Sequence, residues 1–310
     1  MEDDKKQTLN QNKPPKLRSY FDGVSSDDTS KDAPWAVTDT MSLRSSILNY
    51  KWEYGRRYHA FQSGTYWAPN DERQQEAEDL VHEMYRLVLG GRLTSVPLDN
   101  VENVLDVGCG NGVWAIEFAE ENPSTQVMGV DLSPIQPSLV PPNCKFEIDN
   151  VNDDWIYSEP FDLIHVRAMT GCVPDWVEFY RKALSHLKPG AWIEQIELSS
   201  FAQSDDNSLP EDSAQKRLAQ EAGFTNIQER RLKIPIGSWP KDATLKHWGA
   251  WNRQFLLQGL EGFSLKGLTD TLEWKYEDAQ LYLAGLRKEL MDVKLHSYIE
   301  LLVLTAQKPI

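Results

Sequence analysis

Several things are scarce in this sequence, and each scarcity narrows its class. There are three cysteines in 310 residues, Cys109, Cys144 and Cys172. None has the paired spacing of a zinc site or a disulfide framework, so a reducing compartment and no structural metal are expected. No apolar run approaches the roughly 18 residues that cross a bilayer, so no membrane anchor is expected. The opening stretch, MEDDKKQTLNQNKPPK, lacks the apolar core of a secretory leader. Basic residues are outnumbered: 32 Lys and Arg against 47 Asp and Glu leave a formal net charge of −15. A surface of that sign repels phosphates and disfavours nucleic-acid binding. No repeat is present, and the acidic cluster at 205–212 lacks calcium-loop spacing. With 40% hydrophobic residues the chain has ample material for one large core.

Residues 1–40 are polar, rich in Pro, Ser and Asp, and without apolar periodicity, so they read as a disordered tail. Beyond them Leu80, Met84, Leu87 and Val88 recur at helical spacing, predicting an amphipathic helix that stops near Gly90-Gly91. Short apolar runs then alternate with helix-like stretches. NVLDVG (103–108), QVMGVDL (126–132), KFEID (145–149), FDLIHV (161–166) and WIEQIEL (192–198) read as strands; 113–122 and 175–187 read as helices. Strands that are apolar along their length, separated by helices, imply a parallel sheet covered on both faces. Residues 201–215 read as an acidic exposed loop, 215–224 as a short helix, 225–236 as a strand and 297–307 as the last strand. Between the last two, helices are expected with Leu245, Trp248, Asn252 and Phe255 on one face, and later Leu281, Ala284 and Leu290 on another.

The chemistry concentrates after the first long strand. In VLDVGCGNGVWAIEFA, Gly108, Gly110 and Gly112 separate a buried strand from a helix, where glycine lets the backbone turn sharply and approach a ligand. Asp131 closes the second strand, 19 residues after Gly112, and a carboxylate there can accept both hydroxyls of a ribose. The dinucleotide fingerprint needs glycine at its sixth position, which is Val113 here. Asp106 places a negative charge beside the loop, unsuited to a pyrophosphate but suited to an ammonium group. S-adenosyl-L-methionine, cationic and without phosphate, fits these residues better than NAD.

LDVGCGNG, GVDLS, FDLIHVR and HLKPGAWIE, in this order, resemble class I S-adenosylmethionine-dependent methyltransferases. SLRSSILNYKWEYGRRYHAFQSGTYWAPND, DLSPIQPSLVPPN and IPIGSWPKD further resemble the fungal LaeA-like group. The resemblance implies a Rossmann-like fold with a seven-stranded, mostly parallel sheet, an antiparallel last strand and helices on both faces. It divides the chain into a methyltransferase domain over 41–310, with a helical lid at 41–100, a core at 101–236, a helical insertion at 237–295 and a last strand at 296–310. Asp106, Gly108, Cys109, Gly110 and Gly112 would surround the methionine end of the cofactor, with Cys109 present for its small size. Asp131 and Leu132 would take the ribose, Asp149 and Asn150 the adenine, and Val166 would lie beside the methyl group. GRRYH (55–59) reads either as a lid over the cofactor carboxylate, where Arg56 or Arg57 would pair and Tyr58 would stack or hydrogen-bond, or as a solvated helix start with surface arginines. His165 is the candidate general base, or else a satisfied strand-end histidine, and Arg167 would orient an acidic acceptor. Trp239, Trp248, Trp251 and Trp274 read as core or wall residues. The expected function is methyl transfer to a small molecule of fungal secondary metabolism, in the cytosol. The alternatives are a LaeA-like nuclear regulator with a velvet-type protein partner, and a weakly active cofactor-binding protein, the latter because the stretch before the EAGF turn is shorter than in relatives.

Overall fold

The computed structural model describes residues 47–198 and 214–310. The tail at 1–40 and the acidic loop expected from 201 lie outside the described residues, except for 214 and 215, which begin a helix. The chain first makes a short hairpin, β1 (Lys51–Glu53) and β2 (Arg56–Tyr58). Tyr54 and Gly55 turn it with φ of 51° and 76°, the left-handed pair that matches the twist of a two-residue hairpin. Helix α1 (Glu72–Val88) follows. Asp71 caps it by accepting from the Gln74 amide at 3.0 Å. Gly90 and Gly91, both at positive φ, return their amides to Leu87 and Arg86 and end it.

Then β3 (Asn103–Val107), α2 (Val113–Glu121), β4 (Gln126–Asp131), β5 (Cys144–Ile148), β6 (Phe161–Arg167), α3 (Trp176–His186), β7 (Leu187–Leu198), α4 (Ala214–Ala222) and β8 (Thr225–Pro235) alternate. Helix α5 (Ala243–Lys266), a π-helical turn at Gly267–Thr271, α6 (Tyr276–Met291) and β9 (Tyr298–Gln307) complete the order. The seven long strands form one sheet in the order β5-β4-β3-β6-β7-β9-β8. The pairs from β5 through β7 are parallel, and β9 runs antiparallel to both of its neighbours. This is the expected fold class. Strand order reverses between β3 and β6, and ligands of open parallel sheets bind beyond the strand ends at such a switch point.

Pleat alternation sorts the side chains. Leu105, Val107, Ile164, Val166 and Ile193 face α3 and α4, packing on Phe179, Tyr180 and Ala219. Val104 and Leu163 face α2, against Trp114 and Phe118. Helices α1 and α5 cover the β7-β9-β8 side, with Met84, Tyr85, Trp251 and Phe255 on Ile196, Ile234, Leu301 and Val303. Expectation and structure differ on α6. Its buried stripe is Ala279 and Leu283, while Leu281 is 75% exposed. The helix meets the rest along one narrow line, so its other apolar residues remain outside.

Asp71 does more than cap. Its carboxylate also takes Nε and Nη2 of Arg56 at 2.6 and 2.9 Å and the Arg57 amide at 3.3 Å, clasping the hairpin to the start of α1. Burial raises its pKa, but the hydrogen bond and charge of Arg56 and the amides of Gln74 and Arg57 outweigh this and lower it. The stabilisation is therefore complete above the ordinary carboxylate range and is lost as pH falls through the depressed folded value. Removing one partner strands a buried charge, so Asp71→Ala should lower the unfolding free energy by about 3–5 kcal/mol in urea titrations. A loss below about 1 kcal/mol would mean that the pair is not a clasp.

Candidate active site

The strand tips open on a cavity of about 440 Å³, within the range of small-molecule sites. Its floor is the loop after β3. The amides of Gly108 and Cys109 both donate to the Val130 carbonyl, at 2.9 and 3.0 Å, folding the loop onto the end of β4. The Gly110 amide donates to Oδ2 of Asp131 at 2.9 Å, and the Ser133 amide to Oδ1 at 2.8 Å. Gln136 Nε2 ties the Gly110 carbonyl to that of Ser133. Gly110 has φ of 57°, and a Cβ there would stand 2.9 Å from Oε2 of Glu78. The left-handed conformation calls for glycine.

Of the residues expected at the site, Gly108, Cys109, Gly110, Asp131, Leu132, Asp149, Asn150 and Arg167 line this cavity together. Burial pushes Asp131 up to about 6, against the pull of the Ser133 and Gly110 amides. Asn150 donates to Gln62, and its Oδ1 accepts from the Asn152 amide. The Cys109 thiol is raised far above its usual range by burial and by the neighbouring carboxylates of Asp131 and Asp106, so it is no nucleophile.

The other expected residues stand elsewhere. Gly112 caps α2 outside the cavity lining, and a Cβ there would stand 2.4 Å from the Phe146 ring. Val166 is wholly buried against the α3 face. Asp106 is buried beneath the loop with Oδ2 lacking a hydrogen-bond partner among the described residues. Arg57 binds Glu72 at 2.9 Å and the Asn70 carbonyl at 2.7 Å, and Tyr58 is buried under the Lys266 ammonium, 4.6 Å from its ring centre. The cover instead comes from the next stretch, through Tyr66 and Trp67. Asn70 ties that stretch to Ser133 at 3.1 Å.

His165 is also displaced from its expected role. It lies one pleat behind Arg167, roughly 7 Å back along the strand, with no exposed surface. Its ring stacks on Trp114 at 3.8 Å, and Nδ1 meets Glu194 at 3.2 Å. Glu194 in turn accepts from the amide and hydroxyl of Ser95. Without reach into the cavity, this histidine cannot abstract a proton there.

Arg167 does reach it. Among the described lining residues it is the only cation, against the carboxylates of Glu78, Asp131, Asp149 and Glu197. Its Nη1 donates to Nδ1 of His82 at 3.0 Å, and its guanidinium lies 5.2 Å from the Tyr85 ring centre. A guanidinium only donates, so Nδ1 carries a lone pair and Nε2–H donates to Glu117 at 3.0 Å. Burial, with the Arg167 charge, lowers His82 to about 4 despite Glu117, and the ring stays neutral. Glu197 fastens the next turn, accepting from the Met169 and Thr170 amides and the Thr170 hydroxyl. Ala168 there is held at φ of 56°, a strained value for a side-chain-bearing residue.

Comparisons with known proteins settle the family. A family model described as "Methyltransferase domain" matches residues 70–250, more than half of the chain. The chain belongs to this methyltransferase family. It is 38% identical over 306 residues to methyltransferase pytC of Aspergillus terreus, covering 90% of this chain and 94% of that one. It is 34% identical to the secondary metabolism regulator LAE1 of Cochliobolus heterostrophus, covering 83% and 94%. It is 31% identical to the protein-methionine methyltransferase laeA of Emericella nidulans, covering 90% and 83%. S-adenosyl-L-methionine is the methyl donor expected from the sequence. The residues fit that cofactor: the cavity is rich in carboxylates, Oε2 of Glu78 lacks a partner among the described residues, and the loop approaches without side chains. A phosphate-bearing nucleotide would meet the same carboxylates as like charges.

Glu78, Tyr66, Trp67 and Glu197 were not expected at the site. Glu78 was visible only as one more acid on an amphipathic helix. The placement of His165 carries a test. His165→Phe should keep the Trp114 stack but leave Glu194 short of a partner, lowering the unfolding free energy by about 1–3 kcal/mol. Calorimetric affinity for S-adenosylmethionine should stay within about twofold; a larger loss would put the histidine back at the site.

Proposed function

We propose that this methyltransferase modifies a small, largely apolar molecule in fungal secondary metabolism. The observation that supports it most is the composition of the cavity's far half. Phe255, Leu256 and Phe263 of α5, Ile299 of β9 and Leu198 of β7 make an apolar wall facing the glycine loop, and Trp67 meets Phe263 edge-on at 6.3 Å. Such a wall suits a ring system or alkyl chain more than a charged protein segment. The pytC relative, a methyltransferase by name, agrees with the reading.

When bound, S-adenosylmethionine supplies a methyl group made electrophilic by a sulfonium. The chain's own residues bind, orient and exclude water. Asp131 would hold the ribose hydroxyls, with its carboxylate aimed by the Gly110 and Ser133 amides. Asp149 and Asn150 would take the adenine. Arg167, fixed by His82 and Tyr85, would orient an anionic or carbonyl group of the acceptor. Alignment of acceptor with donor would then supply most of the rate enhancement, because His165 has no access.

A second reading draws on the laeA and LAE1 relatives: a regulator that acts in the nucleus with a velvet-type partner. Among the described residues no helix is long and apolar enough to cross a membrane. The scattered lysines of the first 40 residues, without a dense basic run, favour the cytosol over the nucleus. The test compares metabolites of a fungal host with the coding sequence deleted and restored. Deletion should remove one compound and accumulate its counterpart lighter by one methylene unit. That counterpart, added to the purified enzyme, should release S-adenosylhomocysteine, and Arg167→Met should cut turnover by about 100-fold or more. Broad loss of many metabolites, nuclear localisation and co-purification with a velvet-type protein would favour the regulator.

A further inference from the structure

Glu78 is a buried acid in the cavity that the glycine motif does not account for. It projects from α1 over the loop, where its Oε2 would stand 2.9 Å from a Cβ at position 110. Its Oε2 is sealed from solvent and has no hydrogen-bond partner among the described residues. The groups around it come from each neighbouring element. Asp131 faces it from β4, Asp79 adjoins it on α1, the Asn111 amide reaches it from the loop, and Arg167 acts from β6. Arg167 acts on it only at a distance, its Nη1 bonded to His82 and its guanidinium set against the Tyr85 ring, with no ion pair between the two. Asp79 is itself held by the Asn111 side chain at 2.7 Å. The arrangement is a carboxyl whose Oε2 has no direct partner among the described residues, placed against the glycine loop.

We propose that Glu78 is the counter-charge for a cationic centre at the methionine end of the cofactor. This rests on the assignment of S-adenosylmethionine to the cavity, and it adds a residue from outside the glycine loop. A proton consequence follows. Burial first, and the charges of Asp131 and Asp79 next, raise the Glu78 pKa to about 8, against the Asn111 amide and Arg167. Near neutral pH the acid therefore holds its proton until a cation arrives. Binding converts the carboxylic acid to a carboxylate paired with that cation, and the proton passes to the buffer. Asp131, at about 6, is already largely ionised there and contributes little. As pH drops below the Glu78 value, binding must expel a proton and weakens; above it, that penalty is gone.

Cofactor titration calorimetry of the full chain, in buffers of different ionisation enthalpy at pH about 7, tests this directly. The wild-type protein should release close to one proton per S-adenosylmethionine. Glu78→Gln, nearly the same shape and uncharged, should abolish the release, flatten the pH dependence and weaken binding about tenfold or more. S-adenosylhomocysteine keeps the ammonium and lacks the sulfonium. Equal weakening for both ligands assigns the pair to the ammonium, and weakening for S-adenosylmethionine alone assigns it to the sulfonium. Thermal unfolding without ligand should show Glu78→Gln folded, and Glu78→Asp, which keeps the charge, should retain part of the proton release. The proposal is overturned if Glu78→Gln binds both ligands as tightly as wild type, or if proton release persists in it. Failure of the wild-type chain to bind either ligand would instead overturn the cofactor assignment on which the proposal rests.

Discussion

Two amides donate to one carbonyl. Gly108 and Cys109 both point their N–H groups at Val130, and this bends the chain leaving β3 back across the end of β4. Asp131 is the next residue after Val130, so the bend also brings its carboxylate under the Gly110 amide. The floor of the cavity is thus a piece of backbone hydrogen bonding made possible by residues without bulk. The cover stretch, Glu78 and Arg167 are all placed with respect to that floor.

Charge in this protein is sorted by depth. Behind the floor, Asp106, His165 and Glu194 occupy neighbouring strands at the same level of the sheet, and His165 and Glu194 pair with each other. One pleat nearer the ligand, Arg167 is held by a neutral histidine and an aromatic face, which leaves its charge uncancelled. Two histidines therefore serve as supports, one beneath a tryptophan and one beside an arginine. Neither is exposed to the reacting groups.

Much of the fold was legible because strands buried on both faces leave continuous apolar runs, and because Pro and Gly mark the helix ends. Asp131, Asp149 and Asn150 were legible for a related reason: they close strands, and strand ends converge. Which of the two readings of His165 holds was not legible, because one pleat decides whether His165 or Arg167 lines the cavity and no spacing in the sequence reveals where the sheet edge falls. The placement of Arg57 and Tyr58 was not legible because the hairpin turn at Tyr54-Gly55 carries no Asn-Gly or Asp-Gly signal, so strand β2 was invisible. Glu78 was hidden for a different reason. Its neighbours Gly110 and Asp131 lie 32 and more positions away, and only the packing of α1 over the loop joins them.

The apolar wall belongs largely to α5, which lies between β8 and β9, whereas the donor side is built from β3 through β6 and their loops. These two portions of the coding sequence share few contacts except across the ligand space. Substitutions at Phe255, Leu256 or Phe263 would reshape the wall directly and reach the donor side only through their packing on α1, the helix that carries Glu78. A lineage of such enzymes can therefore diversify its chemistry by drifting in one helix, keeping the costly half of the machinery inherited and intact.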